Sequence, residues 1–271
     1  MSARIQVKTV KYSEILELDR IVHFSQKDIK VEYDYPMVNC GPADQALVVF
    51  CHNGEGSLLE RQCVASNLRF VKLGRDIRHW INTYKPFLFF DFLSANQENL
   101  ADTIVLFLDA YDVILPRSLL ALIERYRRSY YGLALFNATN ASMNSGIISY
   151  QRRKIDGFEN RLCGGGKFYL NAGVVMGDCG SLFDVYRNVV ELMVELYPFP
   201  FRNHQYKIRT RNRALKREQP FIRLAGFRNQ GKVALDYNNE ITIRLRPAIA
   251  THPNGCGAGG AKLASPDLQA D

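Results

Sequence analysis

Short, fully apolar runs rich in β-branched residues alternate along the chain with longer stretches whose apolar residues recur every three or four positions. The first pattern is that of buried strands, the second that of amphipathic helices. Ala46-Leu47-Val48-Val49-Phe50-Cys51 reads as a buried strand ending at the turn-forming His52-Asn53-Gly54. A helix over Leu58–Ala65 follows, then a strand over Arg69–Leu73 stopped by Gly74. A second helical stretch runs from Phe87 to Leu100 and leads into the sharpest strand, Thr103–Leu108. Beyond it the pattern predicts a helix over Ser118–Arg128, entered through Pro116. Strands over Gly132–Phe136 and Phe168–Met176 and an amphipathic helix over Ser181–Leu196 come next. Lys232–Asp236, Ile241–Leu245 and Ala248–His252 are short and strand-like.

Strands alternating with helices predict an α/β fold with a mostly parallel central sheet flanked by helices. The expected organisation is an N-terminal extension over 1–45, one domain over 46–256 and a flexible tail over 257–271, with no internal repeat. In open α/β sheets, ligands bind outside the carboxyl ends of the strands. Asp109, Asn137, Asn171 and His252 each fall at or near the end of a predicted strand.

Composition narrows the class. At 271 residues, 47% hydrophobic and 23% charged, the chain is neither disordered nor collagen-like. No apolar run reaches the roughly 18 residues of a membrane span, and the N-terminus has no hydrophobic signal core, so an intracellular protein away from membranes is expected. The six cysteines form no CxxC pair, which favours a reducing compartment over a disulfide scaffold. Net charge is 35 − 27 = +8, yet seven basic residues and no acidic ones lie between Arg202 and Arg217 (Arg202, Lys207, Arg209, Arg211, Arg213, Lys216, Arg217). Without them the balance is 8 − 7 = +1. The segment is a candidate patch for a polyanion, the alternative being a solvated positive loop.

The chemistry concentrates in Leu106-Phe107-Leu108-Asp109-Ala110-Tyr111-Asp112-Val113, where an apolar strand ends in one carboxylate with a second three residues on. Two carboxylates at a strand's end make a hard-oxygen site suited to Mg²⁺ or Mn²⁺. The plainer alternative is that Asp109 caps the turn and Asp112 faces water. Phosphohydrolases of the haloacid dehalogenase type place the second aspartate two residues after the first, where this chain has Tyr111. Asn171-Ala172-Gly173 interrupts another strand with small residues that let a ligand approach the backbone, or mark a bulge. After the last apolar run comes His252-Pro253-Asn254-Gly255, whose imidazole is a candidate third ligand. Cys163-Gly164-Gly165-Gly166-Lys167 lacks the spacing of a P-loop and reads as a hairpin.

Together these segments resemble the glycosyltransferase domain of the lysyl hydroxylases and the related base J-type glucosyltransferases that modify hydroxymethylated bases in DNA. Phe107-Leu108-Asp109-Ala110-Tyr111-Asp112-Val113 is similar to the family's F-x-D-x-Y-D-V core, Leu170-Asn171-Ala172-Gly173 to its L-N-S-G and His252-Pro253-Asn254-Gly255 to its H-G-N-G. Leu73-Gly74 with Trp80 and Lys85 is similar to the segment flanking the nucleotide base, and Glu218-Gln219 falls where the family usually has D-Q. Two departures stand out. Asn137 follows Phe136 where a glutamate is common, and Leu215-Lys216-Arg217 replaces an acidic run.

The resemblance implies a GT-A type fold and a metal-dependent transferase moving a sugar, glucose first, from a UDP-sugar to a hydroxyl. Asp109, Asp112 and His252 would be the metal ligands. Trp80, Lys85, Asp109, Ala110, Tyr111, Asn171, Gly173, Asn254 and Gly255 would bind the donor. Glu218 or Asp236 would be the carboxylate near the acceptor. The basic segment favours a hydroxymethylated DNA base as acceptor. Hydroxylysine in protein is the alternative, and a catalytically silent nucleic-acid-binding module on the same scaffold is the alternative of another class.

Overall fold

The computed structural model describes residues 7–32, 34, 45–140, 151–166, 168–196 and 218–245. In chain order its elements begin with β1 (Lys8–Lys11), α1 (Tyr12–Leu16), β2 (Ile21–Phe24) and β3 (Ile29–Glu32). Next come β4 (Ala46–Cys51), α2 (Leu58–Ala65), β5 (Phe70–Leu73), α3 (Tyr84–Asn96), β6 (Ile104–Leu108) and β7 (Val113–Ile114). The remainder are α4 (Leu120–Ser129), β8 (Ala134–Thr139), α5 (Arg152–Leu162), β9 (Tyr169–Asp178), α6 (Cys179–Leu196), α7 (Gln219–Arg228), β10 (Val233–Asp236) and β11 (Thr242–Leu245).

Six strands form the central sheet in the order β10-β8-β9-β6-β4-β5. All run parallel except β9, which is antiparallel to both its neighbours. The strands are apolar on both faces because both faces are covered. Ile104, Leu106 and Leu108 of β6 pack in one core with Leu59 and Cys63 of α2 and Leu122, Ile123 and Tyr126 of α4. Val105 and Phe107 point the other way, into a core with residues of α3, α6 and α7. There Phe107 stacks on Phe89 of α3 with ring centroids 4.0 Å apart. The protein is thus a mixed α/β structure with a mostly parallel sheet flanked by helices. Among the described residues, no helix is long and apolar enough to cross a membrane.

Strand order fixes where a crevice opens. β5 lies on one side of β4 and β6 on the other, so the chain reverses its direction of travel at β4. The space outside the carboxyl ends of β4 and β6 is the switch point at which α/β sheets take ligands. A three-stranded sheet, β11-β2-β7, borders that space, with β2 parallel to β11 and antiparallel to β7. Gln62 of α2 holds β7 in place, donating to the Val113 carbonyl (3.1 Å) and accepting from the Leu115 N–H (2.8 Å).

The segment read as an N-terminal extension therefore supplies a strand to the same folded body. Elsewhere the apolar pattern predicts well, with β4 and α2 observed over their expected ranges. The helix expected from Ser118 begins at Leu120, and β8 continues to Thr139. α7 follows no amphipathic pattern because Gln219 through Gly226 are all buried. Its Arg223 is fully buried and is anchored by Glu159 (2.5 Å) and Asp156 (2.6 Å) of α5. The expected strand over Ala248–His252, the residues Lys167, Asn254 and Gly255, the basic segment Arg202–Arg217 and the tail lie outside the described residues.

Candidate functional site

Asp109 follows β6 directly, and its backbone N–H donates to the Gly173 carbonyl of β9 (2.9 Å), so its carboxylate stands where the sheet ladder ends. The turn from Asp109 to Asp112 leads into β7, and the Asp112 carbonyl accepts from the Phe24 N–H (3.0 Å). That bond ties β2 to the turn and brings His23 over it, with Nε2 3.6 Å from Asp112 Oδ2. One ligand atom from each of His23, Asp109 and Asp112 lies within 4.8 Å of the others. His23 is buried and the two aspartates are partly exposed, the arrangement of a site built into the wall of a cleft.

Gly173 is what lets these groups converge. A Cβ at that position would lie 2.5 Å from His23 Cε1, 2.9 Å from His23 Nε2 and 3.0 Å from Asp109 Oδ2. Any larger residue would push the imidazole or the carboxylate out of the site. On its far side, His23 Nδ1 lies 2.9 Å from Asn137 Nδ2, a buried amide on β8.

The other oxygen of Asp109 bonds the Lys85 ammonium at the start of α3, and Lys85 lies 3.5 Å from Glu218. Burial alone would lower the Lys85 pKa; the carboxylates of Asp109 and Glu218 outweigh it and hold the ammonium above its ordinary range. His23, Lys85, Asp109 and Asp112 line a cleft of about 520 Å³ whose walls also carry Trp80, Tyr111, Lys27 and Arg244. Trp80 rests against Gly74, which has a φ of +84° and where a Cβ would come 2.8 Å from the indole. Tyr111 is half exposed on the rim, its hydroxyl hydrogen-bonded to Nε2 of the buried His52. Burial disfavours the charged form of His52 and pushes its pKa below the usual value.

Of the expected site residues, Trp80, Lys85, Asp109, Ala110, Tyr111 and Asp112 share this cleft, with Gly173 beneath it. Asn171 lies opposite Asn137 in the β8–β9 ladder and accepts from the Gly173 N–H through its side-chain oxygen (2.8 Å). Glu218 reaches the cleft through Lys85. Asp236 serves a different purpose. Its carboxylate, 1% exposed, accepts from the N–H groups of Glu240, Ile241 and Thr242 and from the Thr242 hydroxyl, fixing the turn between β10 and β11. Those four donors hold it in the turn, and it is not among the described residues that line the cleft, where the sequence reading expected a carboxylate near the acceptor. Gln219 is likewise spent on structure, bonding the Leu170 carbonyl and the Ala172 N–H of β9 as a neighbouring strand would.

His23 is the residue that sequence reading passes over. It sits in Ile21-Val22-His23-Phe24, all four buried, and the only available signal is one ionisable side chain inside an apolar strand. His252, the imidazole expected here, lies outside the described residues. Two carboxylates and one imidazole suit a divalent cation, and the nitrogen donor shifts preference from Mg²⁺ toward a first-row transition ion such as Mn²⁺. No family model matches the chain, and no curated protein matches it.

Proposed function

We propose that the protein is a metal-dependent glycosyltransferase of the GT-A type that uses a UDP-sugar donor. The observation that carries this reading is the convergence of His23, Asp109 and Asp112 over Gly173 at the switch-point cleft. The donor set fits a divalent ion, with His23 supplying the imidazole that the sequence resemblance assigned to His252. A cation held there would neutralise the donor's diphosphate as it becomes a leaving group. Lys85 brings a second positive charge to the same wall and orients Asp109. Trp80, braced by Gly74, offers an aromatic edge to the uracil. Glu218, 3.5 Å from the Lys85 ammonium, is the carboxylate available on the acceptor side. Seven cations between Arg202 and Arg217 support a hydroxymethylated base in DNA as acceptor, bound through its phosphates.

The test is binding followed by transfer. At 100 times its dissociation constant, the Mn²⁺–UDP complex, bound as one ligand, stabilises a protein by about 2.7 kcal/mol. For a chain of this length that raises the melting temperature by about 5 °C. The shift is expected to vanish with EDTA and in Asp112→Asn; an unmoved melting temperature in the wild type rejects the reading. Labelled UDP-glucose is then offered with hydroxymethylated duplex DNA or a hydroxylysine peptide. Label entering only the peptide moves the acceptor from DNA to protein.

A further inference from the structure

We propose that His52 is a positioning residue for the nucleotide donor: it holds the Tyr111 ring at the rim of the cleft and so sets the affinity for the donor's base. The inference rests on the UDP-sugar reading above. Its ground is one contact between a buried and an exposed side chain. Tyr111 is 51% exposed, yet its hydroxyl bonds Nε2 of His52, which is 4% exposed. The two rings meet edge to face, with centroids 4.8 Å apart and planes at 84°.

A tyrosine on an exposed turn ordinarily keeps its hydroxyl in water. Here the polar end points inward, and the ring is what the cleft meets, on a wall shared with Trp80, Asn82 and Lys85. An aromatic ring so placed suits a flat group such as a nucleobase. Whichever partner carries the shared proton, the bond holds the ring in one orientation. A ring ordered before the ligand arrives costs less entropy to use than one immobilised on binding.

His52 is itself firmly placed. It follows the last residue of β4, and its N–H donates to the Leu73 carbonyl at the end of β5 (2.9 Å). A Cβ on Gly54 would lie 3.1 Å from His52 Cε1 and 3.2 Å from Nε2, so glycine in the His52-Asn53-Gly54 turn leaves the imidazole its space. Other bonds fix the turn that carries Tyr111. The Leu59 N–H at the start of α2 donates to the Ala110 carbonyl (3.2 Å), and backbone bonds tie Asp109 to Gly173 and Asp112 to Phe24. Loss of the imidazole therefore frees the Tyr111 ring without moving Asp109 or Asp112. The next residue extends the arrangement to Trp80: Asn53 donates through Nδ2 to the Ile77 carbonyl (2.9 Å), in the loop between Gly74 and Trp80. One turn after β4 thus supports both aromatic side chains of the cleft.

The experiment compares the wild type with His52→Leu, His52→Gln, Tyr111→Phe and the double variant His52→Leu with Tyr111→Phe. Leucine removes the hydrogen bond, and glutamine can restore it. Trp80 is the chain's single tryptophan, so its fluorescence reports ligand entry into this cleft. Affinities for UDP and for pyrophosphate, each with Mn²⁺ in excess, are measured by calorimetry, and folding by the melting temperature without ligand. His52→Leu and Tyr111→Phe are each expected to bind UDP about 3–10-fold more weakly while binding pyrophosphate as the wild type does. The double variant is expected to lose no more than either single one, because both remove the same bond, and His52→Gln to recover the loss. Undiminished UDP affinity in folded His52→Leu, an equal loss for pyrophosphate, or losses that multiply in the double variant would each overturn the proposal while leaving the donor site intact. If His52→Leu does not fold, Tyr111→Phe decides, since it removes one hydroxyl from a half-exposed residue: unchanged UDP affinity there overturns the proposal as well. Absence of UDP binding in the wild type rejects the UDP-sugar reading and this inference together.

Discussion

Gly173→Ala tests the packing that defines the site. The added methyl would sit 2.5 Å from His23 Cε1 and 2.9 Å from Nε2, where carbon contacts are favourable only beyond about 3.5 Å. The ring must therefore retreat by about 1 Å, or β9 must move. Neither is easy, because His23 is held between Asn137 and the backbone bond from Phe24 to Asp112. Overpacking of this kind costs about 1–3 kcal/mol, which lowers the melting temperature of a chain this size by about 2–5 °C. Because Nε2 and Asp109 Oδ2 are the atoms displaced, Mn²⁺ binding is expected to weaken at least tenfold.

The control is the same substitution made in His23→Ala. With the ring gone, the nearest remaining atom is Asp109 Oδ2, 3.0 Å from the new methyl. Gly173→Ala should then cost roughly half or less of its former value, a coupling of about 1–2 kcal/mol between the two positions. Chemical unfolding of the four proteins measures this directly. An equal cost in both backgrounds would falsify the argument that the imidazole is what demands glycine on β9.

Two other substitutions separate structure from chemistry. Asp236→Asn turns an acceptor-only carboxylate into an amide facing four donors, and is expected to lose about 2 kcal/mol of stability while leaving Mn²⁺ affinity unchanged; a loss of affinity without a loss of stability would return this residue to the site. Arg223→Met strands the carboxylate of Glu159, and about 3–5 kcal/mol should disappear at pH 8. Burial already raises the Glu159 pKa, with Arg223 opposing the rise, so removing Arg223 lifts it further. A carboxyl whose folded value is raised destabilises as pH climbs through that value, so the deficit should shrink on going to pH 5. A deficit that is flat with pH would assign the loss to packing instead.

Much of the fold was legible because a sheet covered on both faces writes itself as continuous apolar runs. β4 and β6 have every position buried, and their five or six apolar residues in a row, bounded by turn-forming residues, are what such a strand writes. The helix α7 was illegible for the same reason turned round: it is buried on all sides and so carries no stripe. The strands β2 and β7 are four and two residues long, too short for periodicity to speak. They exist because partners complete them: β11 and β7 for β2, and the Gln62 side chain for the open side of β7.

That difference explains why the aspartates of the site could be read and the imidazole could not. Asp109 and Asp112 adjoin β6, an element fixed by local pattern, so their position at a carboxyl end follows from sequence alone. His23 lies 86 residues upstream of Asp109, on a strand whose place depends on pairing with β11 from the far end of the described chain. No local signal can report such a pairing, since what selects it is closure of the small sheet over the turn. Gly173 is the trace that this closure leaves in the sequence. The small residues of Asn171-Ala172-Gly173 announced that something comes close to β9, and the occupants are side chains of the protein itself, the imidazole of His23 and the carboxylate of Asp109. A glycine in an otherwise continuous strand thus marks the point where two sheets bring their ionisable groups together, and the groups it admits need not be neighbours in the chain.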